Sequence, residues 1–331
     1  MTKTLRFTRN IAALALSTGL CLVAMAKAGG YEVVERLSVG AATRWDYAAV
    51  DTVRQRLYLT RGDRVDVLAL PSGELMGSIP NTLGVHGVAF AQSLKLGFTS
   101  NGKANSVTVF DLDSLKVQGD IALAGKNPDA ILYEEAVNKL YVFNGSSDSV
   151  DVIDLATRKV VTSLQASGRP EFAASNGQGK VYFNIEDHPG INVIDTATDK
   201  IVAKWPLAGC EEPTGLAIDT KHSRLFSACR NGLMAVTDSA SGKRVAQFAI
   251  GEHPDAVIFD AETATVLTSA GGGAGGLNIT QQVDADHYVL HSNLVTEKGA
   301  KTMAMNDRDK TVYLPTAIGG KFIVLVAKPS H

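Results

Sequence analysis

Hydrophobic and polar residues alternate with a period of two along most of this chain, the spacing of strands whose two faces meet different surroundings. KLYVFN (139–144), SVDVIDL (149–155) and KVYFNI (180–185) all show it, and 3.6-residue periodicity is nearly absent. The strands recur in a fixed order. NPDAILY (127–133), RPEFAAS (169–175), EPTGLAI (212–218) and HPDAVIF (253–259) each open a unit of about 40 residues that then follows one plan. An apolar strand A leads to an aromatic-bearing strand B, such as RLFSAC (224–229), and then to a strand C such as INVIDT (191–196). Strand D follows a polar turn, as in TRKVV (157–161), TDKIV (198–202), SGELMGSI (72–79) and SGKRVAQF (241–248). Four antiparallel strands in a unit of this length make one blade of a β-propeller.

Unit starts fall at Trp45, Val85, Pro128, Pro170, Pro213, Pro254 and Lys301, which predicts an all-β, seven-bladed propeller. The last unit is incomplete. TVYLP (311–315) and FIVLV (322–326) supply its strands B and C, and the chain then stops. YEVVERLSV (31–39) precedes the first blade without a blade of its own, so it is expected to close the last one. That exchange removes the edges an open ring would expose.

YVFN (141–144), VIDLATRKVV (152–161) and VIDTATDKIV (193–202) resemble the repeat of the YncE-like, or YVTN, family of seven-bladed propellers. The resemblance runs through the chain beyond its first 28 residues and implies the fold. It implies no activity, because the family has no single agreed one. Blades 1, 2 and 6 drift from the pattern, and TSAGGGAGGLNI (268–279) replaces the usual B–C hairpin of blade 6.

The first residues follow a different logic. Lys3, Arg6 and Arg9 precede an apolar run over 11–25, and Ala26-Lys27-Ala28 is a small-x-small cleavage pattern. Residues 1–28 are read as a secretory signal peptide and 29–331 as one propeller domain, periplasmic or secreted. The run is too short for a bilayer span of about 20 apolar residues, so the mature chain is expected to have no transmembrane segment. Lipoprotein processing at Cys21 is disfavoured, because bulky Leu20 stands where a small residue is wanted. Two cysteines remain, Cys210 and Cys229. Export favours a disulfide between them over two thiols, although sequence cannot supply their distance. No CxxCH or zinc-type Cys/His spacing is present. Of the 331 residues 20% are charged and the net charge is −2, so nothing calls for a nucleic-acid or membrane-surface partner. A monomer is expected.

The candidate chemistry lies where the repeat varies. Asp46, His86, Asp129, Glu171, Thr214, Asp255 and Thr302 occupy one slot at the start of each inner strand and should form a ring at one mouth of the central channel. Such a ring can bind a divalent cation or supply acid and base groups; equally, it can be a solvated lining that bonds neighbouring blades. The B–C loops should open on the same face, bringing Asn101, Asn144, Asn184, Glu186, Arg230 and Asn231. Asn at these places also suits plain turn chemistry. Glu171, Asn144, Asn184 and Asp255 form an oxygen-rich set suited to calcium or magnesium, loosely similar to the metal set of propeller lactonases.

Three motifs fail. Gly271, Gly273 and Gly276 satisfy GxGxxG, but the sequence after them reads as a strand, not a helix. His287 and His291 have metal-ligand spacing only on a helix, and they flank a predicted strand. No GxSxG is present. The favoured function is an exported binding or scaffold protein that holds a small molecule, metal or protein partner at the channel face. The alternative is a metal-assisted, lactonase-like hydrolase with His86 or Asp129 as general base. A redox-associated propeller is a third class, for which no cofactor site is visible.

Overall fold

The computed structural model describes residues 1, 2 and 29–330; residues 3–28, nearly all of the proposed signal peptide, lie outside the described residues. Strands form six sheets, five of four strands and one of seven. The seven-stranded sheet is two blades run together. Its strand Leu75–Ala91 pairs through its first half with Gly62–Ala69 and through its second half with Leu96–Asn101. Blade 1's outer strand thus continues without a break into blade 2's inner strand, and dividing it there gives seven blades of four strands.

The blades follow the order read from the repeat. Blade 3 consists of Pro128–Glu134, Lys139–Asn144, Ser149–Asp154 and Lys159–Gln165. In blade 7, Ala304–Met305, Val312–Ile318 and Lys321–Pro329 are joined by Tyr31–Ala41 as the outer strand. The expected closure by the first strand therefore stands. Each A–B turn carries a left-handed residue at the same point: Gln55, Lys95, Asn138, Gly179, Ser223, Ala264 and Lys310.

The core is divided in the same way. Seven apolar clusters each lie between two successive blades, and the one joining blades 7 and 1 completes the ring. Between blades 3 and 4, Tyr141, Phe143 and Val152 pack on Val181, Phe183 and Ile194. Strands B and C are buried on both faces, which explains their nearly unbroken apolar runs. Outer strands such as Lys159–Gln165 alternate between exposed and half-buried positions.

Arg61 locks the seam. It is 2% exposed and donates to the carbonyls of Val39 (3.0 Å) and Ala41 (2.7 Å), to the Thr43 hydroxyl (3.0 Å) and to Asp66 (3.0 Å). Its guanidinium also lies 4.1 Å from the Phe322 ring centre. One buried cation of blade 1 therefore holds the segment that arrives from blade 7. The GxGxxG segment is a hairpin loop, since Ala270 pairs with Gly276 across it. His287 lies outside strand Tyr288–Val295 and bonds Asp284 at 2.8 Å, while His291 lies on that strand.

Candidate binding site at the channel mouth

A repeated irregularity frees the slot residues from their ladders. In blade 2, Val85 pairs with Asn101 and Val88 with Thr99, so His86 and Gly87 together oppose Ser100. Asp129-Ala130 in blade 3, Glu171-Phe172 in blade 4 and Thr214-Gly215 in blade 5 are doubled in the same way. Blade 6 inserts Asp255 alone. An extra residue in one strand is a β-bulge, which bends the strand and re-aims a side chain. The constant residues of the repeat build the bulge, and the variable residue is what the bulge presents.

Five carboxylates, those of Asp46, Asp129, Glu171, Glu186 and Asp255, converge on a cavity of ≈ 180 Å³. Tyr47, Thr214, Arg230, His253, Pro254 and Lys301 complete its wall. Every blade except the second contributes, so the cavity lies on the axis of the ring. The ring of Tyr47 packs edge-on against Phe172 at 5.3 Å between centroids, and its hydroxyl donates to Glu171 at 3.3 Å. A smaller, mainly apolar cavity, lined by Phe172 among others, shares Tyr47 as a wall. The acidic cavity is the cup at the channel mouth.

Crowding in this cup perturbs its groups in a consistent direction. Burial pushes Glu171 well above the usual carboxylate range, helped by the charges of Asp129 and Glu186. Burial likewise pushes Asp129 up to about 6, against the pull of His86 and with a push from Asp46 and Asp255. Asp255 is raised by burial although Lys301 opposes it. Burial works against a proton on His86, but its bond to Asp46 and the charge of Asp129 outweigh this and raise it. Like charges brought together out of water produce this pattern. The two permanent cations in the wall are already engaged: Arg230 with Glu212 at 2.6 Å, and Lys301 with Asp255.

The ring expected from the sequence divides into two groups. Asp46, Asp129, Glu171, Thr214 and Asp255 line the cup. His86 stands behind its wall, with Nδ1 2.6 Å from Asp46 Oδ2 and 3.7 Å from Asp129 Oδ1. Thr214 and Thr302 also act between blades, donating to the carbonyls of Pro254 (2.9 Å) and Asp46 (2.9 Å).

Among the loop residues, Glu186 and Arg230 reach the cup. Asn231 instead braces the Cys210 loop, through Gly209 O (3.0 Å) and Glu211 N (3.3 Å). The asparagines behave differently from the expectation. Asn184 is fully buried, donates to Thr214 O (2.9 Å) and Gly215 O (3.1 Å), and accepts from Ser227 (2.9 Å). Asn101 bonds Thr99, Ser106 and Thr108, and Asn144 donates to Ser149 at 3.4 Å. None of the three is among the residues that line the cup. The set of Glu171, Asn144, Asn184 and Asp255 is therefore not gathered around one point.

Tyr47, His253 and Lys301 escaped the sequence reading. Lys301 stands where four other blades have proline, and that departure was its signal. His253 precedes Pro254 in a left-handed conformation (φ 53°), as Glu212 does before Pro213 (φ 42°). Asn127 before Pro128 shares it (φ 52°), so the conformation belongs to the repeat and is not a signal of the site. Tyr47 had no signal beyond following a slot residue.

Cys210 and Cys229 form a disulfide with Cα atoms 5.2 Å apart, as expected. It ties the loop before strand Pro213–Asp219 to the end of strand Arg224–Cys229, directly beside Arg230. Among the described residues, no helix is long and apolar enough to cross a membrane.

Comparison with known proteins adds the fold. No family model and no curated protein matches the chain. Among solved structures, Kuenenia stuttgartiensis hydrazine synthase is similar with a TM-score of 0.75 and 13% identity, over 87% of this chain and 96% of that one. A chain of the mitotic checkpoint complex is similar with a TM-score of 0.78 and 12% identity, over 98% of both chains. At such identity the likeness carries the fold alone: this chain is a β-propeller.

Proposed function

We propose that this chain is an exported β-propeller binding protein whose acidic cup holds a small cation. The observation that carries this reading is the convergence of five carboxylates on ≈ 180 Å³ of space whose two permanent cations are already paired. A bound cation offsets the mutual repulsion that raises Glu171, Asp129 and Asp255. The volume is below the roughly 300–1,000 Å³ of sites for drug-sized molecules, which supports a metal ion or a small amine. The disulfide supports export, with residues 1–28 as the signal and 29–331 as one monomeric domain. The repeat motifs support a place among the YncE-like propellers.

Calorimetric titration with putrescine, a compact dication, tests the reading. Binding that weakens in Asp255→Asn and at high salt is the expected result; no heat with putrescine or with any divalent metal ion overturns it. One observation favours metal-assisted hydrolysis as a second reading. Asp129 lines the cup and burial pushes its carboxyl up to about 6, which suits it to accept a proton from a water held there. Turnover of lactones or esters that chelator abolishes supports this reading, and no turnover across such a panel removes it.

A further inference from the structure

We propose that Asp46, His86 and Asp129 form a site for one divalent transition-metal ion, a conclusion that rests on the cup being a cation site and names the cation. The three residues are the slot residues of three successive blades. One ligand atom from each lies within 4.8 Å of the other two. A set of one imidazole nitrogen and two carboxylate oxygens suits zinc or manganese, whereas calcium and magnesium take oxygen ligands.

A second observation points the same way. Asp129 Oδ1 is buried without a hydrogen-bond partner among the described residues, and it faces His86 Nδ1 at 3.7 Å. A buried acceptor left without a hydrogen bond is costly, and a metal ion at this point would give it a partner.

The site is also held in place. A Cβ on residue 102 would come within 2.8 Å of His86 Nε2 and 2.7 Å of Asn127 Oδ1, so glycine there lets the backbone pack on the far edge of the imidazole. That packing turns Nδ1 toward the two carboxylates. Thr302 holds the Asp46 carbonyl at 2.9 Å, and Ser100 holds both the Gly87 amide (2.9 Å) and the Asp129 carbonyl. Asp46 and Asp129 also line the cup, so positions left open on a three-ligand ion would face the space where a second ligand or water enters.

The test is calorimetric titration of the protein with Zn²⁺, Mn²⁺ and Ca²⁺ separately, for wild type, His86→Gln and Asp129→Asn, with a melting curve for each. One Zn²⁺ or Mn²⁺ per chain is expected, at least tenfold tighter than Ca²⁺. His86→Gln and Asp129→Asn each should weaken it about 100-fold. Asp284→Asn, which breaks the exposed pair with His287, should leave the titration unchanged. Absence of Zn²⁺ and Mn²⁺ binding, or binding that neither variant weakens, overturns the proposal. Asp129→Asn removes a charge at nearly constant volume, so it provides the answer if His86→Gln fails to fold. Putrescine separates the two readings. If it binds and the metals do not, only the metal site falls; if neither binds, the cation cup falls with it.

Discussion

Glu171 sits against Asp129, Glu186 and Asp255, with the Tyr47 hydroxyl on its oxygen, Arg169 drawing on Glu186 at 2.8 Å and Lys301 engaged by Asp255. The fold therefore binds its proton more tightly than the unfolded chain does, whose carboxyl titrates near the ordinary 4.5. Stability must then fall as pH rises from that value towards the raised one, and stay lower above it. Glu171→Gln keeps the shape and discards the charge. At pH 7.5 it should raise the melting midpoint by about 2–4 °C, on the order of 1 kcal/mol. At pH 4, where both states of the wild type are largely protonated, the gain should vanish. The same variant should lose putrescine affinity, so stability and binding move in opposite directions; scanning fluorimetry at the two pH values and one titration check both. Much of this residue-level logic was visible beforehand, because the slot residues differ from blade to blade while their neighbours repeat. The roles of the asparagines were not visible. Asn184 is next to last in a strand B, and whether its side chain faces the cup or the next blade depends on the bulge opposite it. A list of residues cannot show that two residues oppose one.

Blades were legible as elements because each strand carries its own signature, and the drift in blades 1, 2 and 6 did not change the pairing. Their joins were less legible. The continuous strand Leu75–Ala91 reads as two segments, because Pro80, Asn81 and Gly84 look like a turn. Arg61 looks like an ordinary surface cation until the first strand is seen to lie across it. Arg61→Ala should lower the free energy of unfolding by about 2–4 kcal/mol, since three backbone or hydroxyl acceptors near the seam lose a donor. Arg61→Lys should recover little, because an ammonium lacks the planar fork that reaches these partners together. Urea denaturation of both variants measures this. The disulfide acts at the same scale: its cysteines are 19 residues apart, and a loop of that length contributes about 3 kcal/mol in the chain-entropy model. Reduction should lower the melting temperature and also loosen Arg230 and Glu212 at the cup's rim. Putrescine affinity before and after reduction reads the second effect.

For the whole molecule, closure is the property that matters. Each apolar cluster belongs to two blades, so no blade completes its core alone, and the ring is only as strong as its seam. The natural seam runs through a blade: Tyr31–Ala41 is bound into blade 7 by an antiparallel ladder with Lys321–Pro329 that runs the length of the strand with two irregularities. The two ends of the described propeller meet there, with the Ser330 amide donating to Gly30 O at 2.7 Å. A short linker can therefore join them and new ends can be cut elsewhere. Opening the circle at exposed Gly177, between strands A and B of blade 4, leaves one blade built from both ends of the chain. Opening it at Gly168, between blades 3 and 4, leaves every blade continuous, and the seam is then held by side-chain packing alone. If the seam's hydrogen-bonded ladder is what keeps the ring closed, the first permutant should unfold in urea near the wild-type midpoint. The second should unfold at clearly lower urea and lose the ligand response first, because the cup draws on six blades and opens with the ring. Equal midpoints for the two permutants would show that the interblade clusters suffice, and that the borrowed strand serves only to cover an edge.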